Sequence, residues 1–120
     1  SNKIFVINDR IENIAHNTSY RNNFDIGTAR AVGSPSTVVE YMLPMLKDRG
    51  IGLLYCGKWN KKDEVKISNS LNILKGSIRE IKTIKLPKNR GDRNIIFIKP
   101  EQCCPDSYPR AIGKSAKYPL

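Results

Sequence analysis

The sequence predicts an α/β fold: a largely parallel sheet with helices on both faces, three α/β/α layers in all, ending in an antiparallel β-hairpin. Short apolar runs alternate with segments whose apolar residues recur at helical spacing, from KIFVI near the start to RNIIFIK near the end. Alternation of this kind builds a parallel sheet with helices packed on it. The last two runs, EIKTIKL and RNIIFIK, are joined only by PKNRGD. That connection is too short for a crossover helix, so the pair must be antiparallel.

Taken in order, KIFVI (3–7) reads as a strand buried on both faces. Asp9 and Glu12 then have the spacing of a helix cap, with Ile11, Ile14 and Ala15 on one face of one or two turns. Residues 19–23 are polar and form a loop. FDIGTA (24–29) alternates as a second strand, ended by Gly33-Ser34-Pro35. Thr37 and Glu40 suggest a capping box for a helix with Val39, Met42, Leu43 and Leu46 on its apolar side. Pro44 should kink or restart that helix, and Gly50 should cap its end. IGLLYCG (51–57) is apolar enough for a central strand, and KWNKKDE after it reads as a charged loop. Ile67, Leu71, Leu74 and Ile78 form the stripe of a second long helix, with Gly76 near its end. Strands over 80–86 and 93–99 complete the set, and Pro100 stops the last one.

The 120 residues suit one domain with a modest core. No apolar run approaches the roughly 18 residues of a membrane-spanning helix, and the N-terminus lacks a signal-peptide pattern. Ser1-Asn2 reads as a remnant of a cleaved tag, residues 3–102 as the domain and 103–120 as an extended basic tail packed on it. Lys and Arg outnumber Asp and Glu by 21 to 11, a net charge of +10. That excess favours polyanions through counterion release. Of the three cysteines, Cys103 and Cys104 are adjacent, a poor geometry for a disulfide. With one histidine and no C-x-x-C, no metal set is expected. Reduced thiols point to the cytoplasm.

Several stretches in order, RIENIA, FDIGTARAV, MLPMLKDRGIGLLYCG, DRNIIFIKP and SYPRAIGKSAKYPL, resemble the C-terminal half of the bacterial RsmG family, also called GidB. The closing motif, with Tyr108, Pro109, Arg110, Gly113, Lys117, Pro119 and Leu120 at the family spacing, is the most specific part. The resemblance covers the chain after Asn2. It implies a partial Rossmann-like methyltransferase sheet. It also implies transfer of a methyl group from S-adenosylmethionine to N7 of a guanine in small-subunit ribosomal RNA. The sequence departs from the family in carrying no glycine-rich cofactor turn, in Cys56 before Gly57 where the family has Lys, and in Ile11 between Arg10 and Glu12. By resemblance, then, this chain is inactive by itself. A stand-alone basic α/β module that binds RNA without chemistry is the alternative reading.

The resemblance places Ile11 and Glu12 beside the cofactor's adenine, and Arg30 at the strand end facing cofactor or RNA. Arg10 and Glu12 equally suit a solvated helix start, and Arg30 a surface ion pair. Lys58, Lys61 and Lys62 around Trp59 suit phosphate contact with base stacking; Trp59 anchoring a charged loop is the other reading. Arg90 and Arg93 flank the hairpin turn, to meet RNA or to keep the hairpin soluble. In the tail, prolines hold the backbone extended while Arg110, Lys114 and Lys117 are displayed toward RNA, or the tail seals the core. No catalytic acid, base or nucleophile is expected, because guanine N7 offers its lone pair without deprotonation.

The family sheet has strand order 3-2-1-4-5-7-6, and by resemblance this chain supplies strands 3, 4, 5, 6 and 7. KIFVI therefore lacks its neighbour and FDIGTA has an open edge. Either KIFVI slides beside FDIGTA, or two chains join as a homodimer through exposed edges.

Overall fold

The computed structural model describes residues 3–30 and 34–120. The expected tag remnant at 1–2, Ala31 and Gly33 lie outside them. The strands are β1 (Phe24–Arg30), β2 (Leu46–Cys56), β3 (Gly76–Lys85) and β4 (Asp92–Pro100). The helices are α1 (Ile11–Ile14), α2 (Pro35–Met42), α3 (Lys61–Leu74) and α4 (Lys114–Lys117). The strands form one mixed sheet in the order β1-β2-β4-β3. β1 and β2 are parallel, while β4 is antiparallel to both β2 and β3. The α/β class and the closing hairpin are as expected, and this order reproduces the 4-5-7-6 end of a methyltransferase sheet.

One face of the sheet is covered. Leu54 and Cys56 of β2 and Ile96 and Ile98 of β4 meet Val39, Met42 and Leu43 from α2 and the turn after it, and Ile67, Leu71 and Leu74 of α3. Gly52 lies where a side chain has no room: a Cβ there would sit 2.5 Å from the Met42 sulfur and 2.7 Å from Ile98. Ser36 and Ser70 join α2 to α3 through a buried 2.8 Å hydrogen bond between their hydroxyls.

The other face is bare, so only two of the three expected layers are formed by the described residues. Register places Arg30, Tyr55, Ile95 and Lys82 in one row across it, and Thr28, Leu53, Phe97 and Glu80 in the next. None of these is buried, and Ile26 below them is 64% exposed. KIFVI is corrected as well. Residues 3–7 join no strand, and Ile4, Phe5 and Val6 are 90%, 82% and 89% exposed. A strand needs a hydrogen-bonding neighbour. Those that resemblance assigns to KIFVI are not in this chain, and it does not slide beside β1.

Four local expectations change. The second long helix, α3, ends at Leu74, so Gly76 and Ile78 belong to β3 and not to the helix. α2 starts at Pro35 after Ser34, so Thr37 lies inside it and caps nothing. It stops at Met42, because Pro44 has no N–H to give the Glu40 carbonyl and its ring crowds that turn. A short 3-10 turn over Leu43–Met45 then leads directly into β2. Gly50 is therefore a strand residue, placed where a Cβ would meet the Lys47 and Phe24 carbonyls at 2.8 and 2.9 Å. Finally, KWNKKDE is half helix. Asn60 and Asp63 cap each other's backbone N–H at 3.0 Å, starting α3 at Lys61.

Candidate functional site

The parallel pair β1–β2 ends at Arg30 and Cys56, and α/β sheets bind ligands beyond such carboxyl ends. Along the free side of β1 runs an open groove of about 420 Å3. It is lined by Ile26, Thr28 and Arg30 of β1 and by Ile11, Tyr41 and Met42. Arg30 is the only charged side chain lining it among the described residues. Ile11 and Arg30 are thus brought together in one groove. Glu12 is not: its carboxylate is turned away into the protein.

Glu12 is 4% exposed. Its Oε2 accepts hydrogen bonds from the Gly113 backbone N–H at 2.8 Å, the Tyr41 hydroxyl at 3.3 Å and Arg10 at 3.4 Å. Burial alone would raise its pKa, but hydrogen bonds from Gly113, its own backbone and Arg10, with the Arg10 charge, hold it below the usual value of 4.5. Glu12 is the socket for the tail.

Glu40 repeats the arrangement one helix away. It is fully buried in α2, and its carboxylate accepts the Arg110 backbone N–H at 2.8 Å, Nε at 3.2 Å and Nη2 at 2.8 Å. Burial opposes its ionisation, yet these bonds from the Arg110 side chain and backbone outweigh it and keep the pKa low. Arg110 also donates to the Tyr118 carbonyl at 2.7 Å, which commits its guanidinium inward. Its expected display toward RNA is replaced by this role as the hub of the tail.

Sequence reasoning missed Arg21. Its guanidinium donates to four backbone carbonyls: Ala15 at 3.1 Å, Tyr108 at 2.7 Å, Cys104 at 3.3 Å and Pro105 at 3.0 Å. His16, read as incidental, donates to the Pro109 carbonyl at 2.5 Å. Pro105 and Pro109 keep the segment around them out of helix and strand ladders, and this was the signal that its carbonyls need donors from elsewhere. Thr37 adds a bond to the Ser115 carbonyl at 2.9 Å, and Ser70 one to Leu120 at 3.1 Å.

Lys58, Arg90 and Arg93 gather at the same end of the sheet as Arg30. Cys56 of β2 pairs with Asn94 of β4, so the loop with Lys58 and the hairpin turn with Arg90 and Arg93 are neighbours. Asn94, almost fully buried, ties them by donating to the Gly57 carbonyl at 2.7 Å and accepting from Thr83 at 2.7 Å. Lys58, Arg90, Arg93, Lys114 and Lys117 are exposed, and none forms an ion pair among the described residues. Trp59 differs, because it packs against the core and anchors the loop. No helix is long and apolar enough to cross a membrane, and no cluster of metal ligands occurs among the described residues.

Residues 1–96 match the family pattern described as "rRNA small subunit methyltransferase G", or GidB. Two curated proteins named "Ribosomal RNA small subunit methyltransferase G" from Prochlorococcus marinus strains, MIT 9515 and CCMP1986, are 59% and 60% identical over 119 residues. Each match covers 99% of this chain and 50% of the relative. One of the same name from Synechococcus sp. CC9902 is 37% identical over 120 residues, 100% of this chain and 49% of the relative. The chain spans about half the length of the curated relatives it matches. On this match and the strand order above, the chain belongs to the rRNA small subunit methyltransferase G family.

Proposed function

We propose that this chain is the C-terminal portion of an S-adenosylmethionine-dependent methyltransferase that acts on a guanine N7 of small-subunit ribosomal RNA in the cytoplasm. The observation that carries it is the order β1-β2-β4-β3, with an open groove and Arg30 at the carboxyl end of the parallel pair. A lone pair at N7 needs no base to free it, so the protein's task is alignment. The exposed cations at that end suit the phosphates of the RNA.

The cofactor fits the residues present only in part. Ile11, Tyr41 and Arg30 supply an apolar wall with one cation. Among the described residues a carboxylate for the ribose is lacking from the groove, since Glu12 is occupied by Gly113 and Tyr41. Calorimetric titration of the chain with S-adenosylmethionine is expected to show no tight saturable binding. A micromolar isotherm would overturn the incomplete site. Filter binding of small-subunit ribosomal RNA at several salt concentrations is expected to show retention that falls steeply with salt. Salt-insensitive retention, or none, would overturn the RNA contact.

The cations owe nothing to a cofactor, which favours a second reading: an RNA-binding module without catalysis. Methyl transfer by a longer relative, lost on the substitution matching Arg30→Ala with RNA binding kept, separates the two. The open β1 edge and bare face also favour a homodimer of this chain, which light scattering reads as twice its 13.6 kDa mass.

A further inference from the structure

We propose that Tyr118 stacks on a base of an unpaired RNA segment, with Lys114 and Lys117 taking the flanking phosphates. This rests on the reading that the chain acts on RNA, and adds the form of RNA and a residue that reading does not name. The Tyr118 backbone is held, while its side chain stands exposed. The Tyr118 carbonyl accepts from Arg110 at 2.7 Å, and its N–H donates to the Lys114 carbonyl at 2.8 Å. Arg110 is in turn fixed by Glu40, and Gly113, at the start of α4, by Glu12. The loop over residues 110–118 is thus closed on itself and pinned to α2 at Arg110 and to α1 at Gly113.

Within this tail the apolar side chains have been sorted. Tyr108 and Leu120 pack against the core, while Tyr118 is 59% exposed. Lys117 Nζ sits 5.5 Å from the ring centroid, and Lys114 lies exposed at the other end of α4. The segment from 107 to 120 contains no Asp or Glu. An exposed aromatic beside two lysines, on a backbone held by hydrogen bonds, is the chemistry of a single-strand contact: the ring takes a base face and the lysines take phosphates. Paired bases are already stacked and offer no such face, so an unpaired segment is favoured over a duplex. Trp59, which the same composition first suggested for stacking, is used up by the core.

The test compares the chain with Tyr118→Ala, Tyr118→Trp and Lys117→Ala, using a single-stranded RNA oligonucleotide and a duplex of the same sequence at fixed salt. Tyr118→Ala is expected to lose about tenfold in affinity for the single strand, with duplex binding and thermal unfolding unchanged. Tyr118→Trp should restore it. Lys117→Ala should lower affinity and reduce the salt slope by about one. Equal loss on strand and duplex, or no loss with Tyr118→Ala, would overturn the stacking role while leaving RNA binding in place. Failure of the unmodified chain to bind either RNA at low salt would sink both.

Discussion

At the scale of single residues, the molecule turns on two buried carboxylates that hold the tail. Removing one partner of a buried pair leaves the other charge unpaired, typically a loss of about 3–5 kcal/mol. Glu40→Ala and Arg110→Ala should each lower unfolding free energy by that order. The double variant should cost less than the sum, which a double-mutant cycle in denaturant reads. The same carboxylates set an acid limit. Both pKa values are lowered by folding, so the folded state favours the ionised forms. Their contribution is complete above the usual 4.5 and is lost as pH falls through the lower folded values. Glu40→Gln should flatten that acid loss of stability in a pH series of thermal unfolding. The cysteines give a simpler test. Burial pushes Cys56 and Cys104 up to about 11, while Cys103 is exposed. Iodoacetamide at neutral pH should alkylate Cys103 in the native protein and reach the other two only on unfolding. None of these pairings was legible beforehand. Glu12 and Gly113 are 101 positions apart, and spacing rules see only neighbours along the chain.

At the scale of elements, sequence reading did best where periodicity was strong and worst where two signals competed. The α3 stripe came through for Ile67, Leu71 and Leu74, because burial on one face imposes the repeat, and both hairpin strands formed, although Ile78 belongs to β3 and not to the helix. Around Pro44 the pattern failed. Leu43 and Leu46 continue a helical spacing by coincidence, one capping the end of α2 and the other opening β2. The proline's missing donor decided where the helix ends, and the glycines beyond it record backbone crowding. Gly52 is the sharper case, since the groups a Cβ would meet are a core sulfur and a core isoleucine. Gly52→Ala should cost about 1–3 kcal/mol through overpacking, measured by chemical denaturation. Gly57, with nothing within 4 Å of a Cβ, should accept alanine with little change.

For the whole molecule, the class of fold was legible because strand and helix patterns alternate, but the number of layers was not. A run such as IGLLYC reads as buried on both faces. Composition cannot say whether the partner for the second face lies in the same chain. Here β2 displays the difference at adjacent positions. Leu54 is fully buried beneath the helices, whereas Leu53 faces the uncovered side beside Phe97. Leu54→Ala should therefore cost about 2–5 kcal/mol of stability in this chain. Leu53→Ala should cost under about 1 kcal/mol, as expected where little packing is lost. The family's longer members supply roughly as many residues again. If those residues cover the bare face, the matching leucine in such a relative should become as sensitive as its neighbour. Denaturant titration of the two single variants in both proteins reads this directly. Equal sensitivity already present in the 120-residue chain would mean that the second face is covered from within.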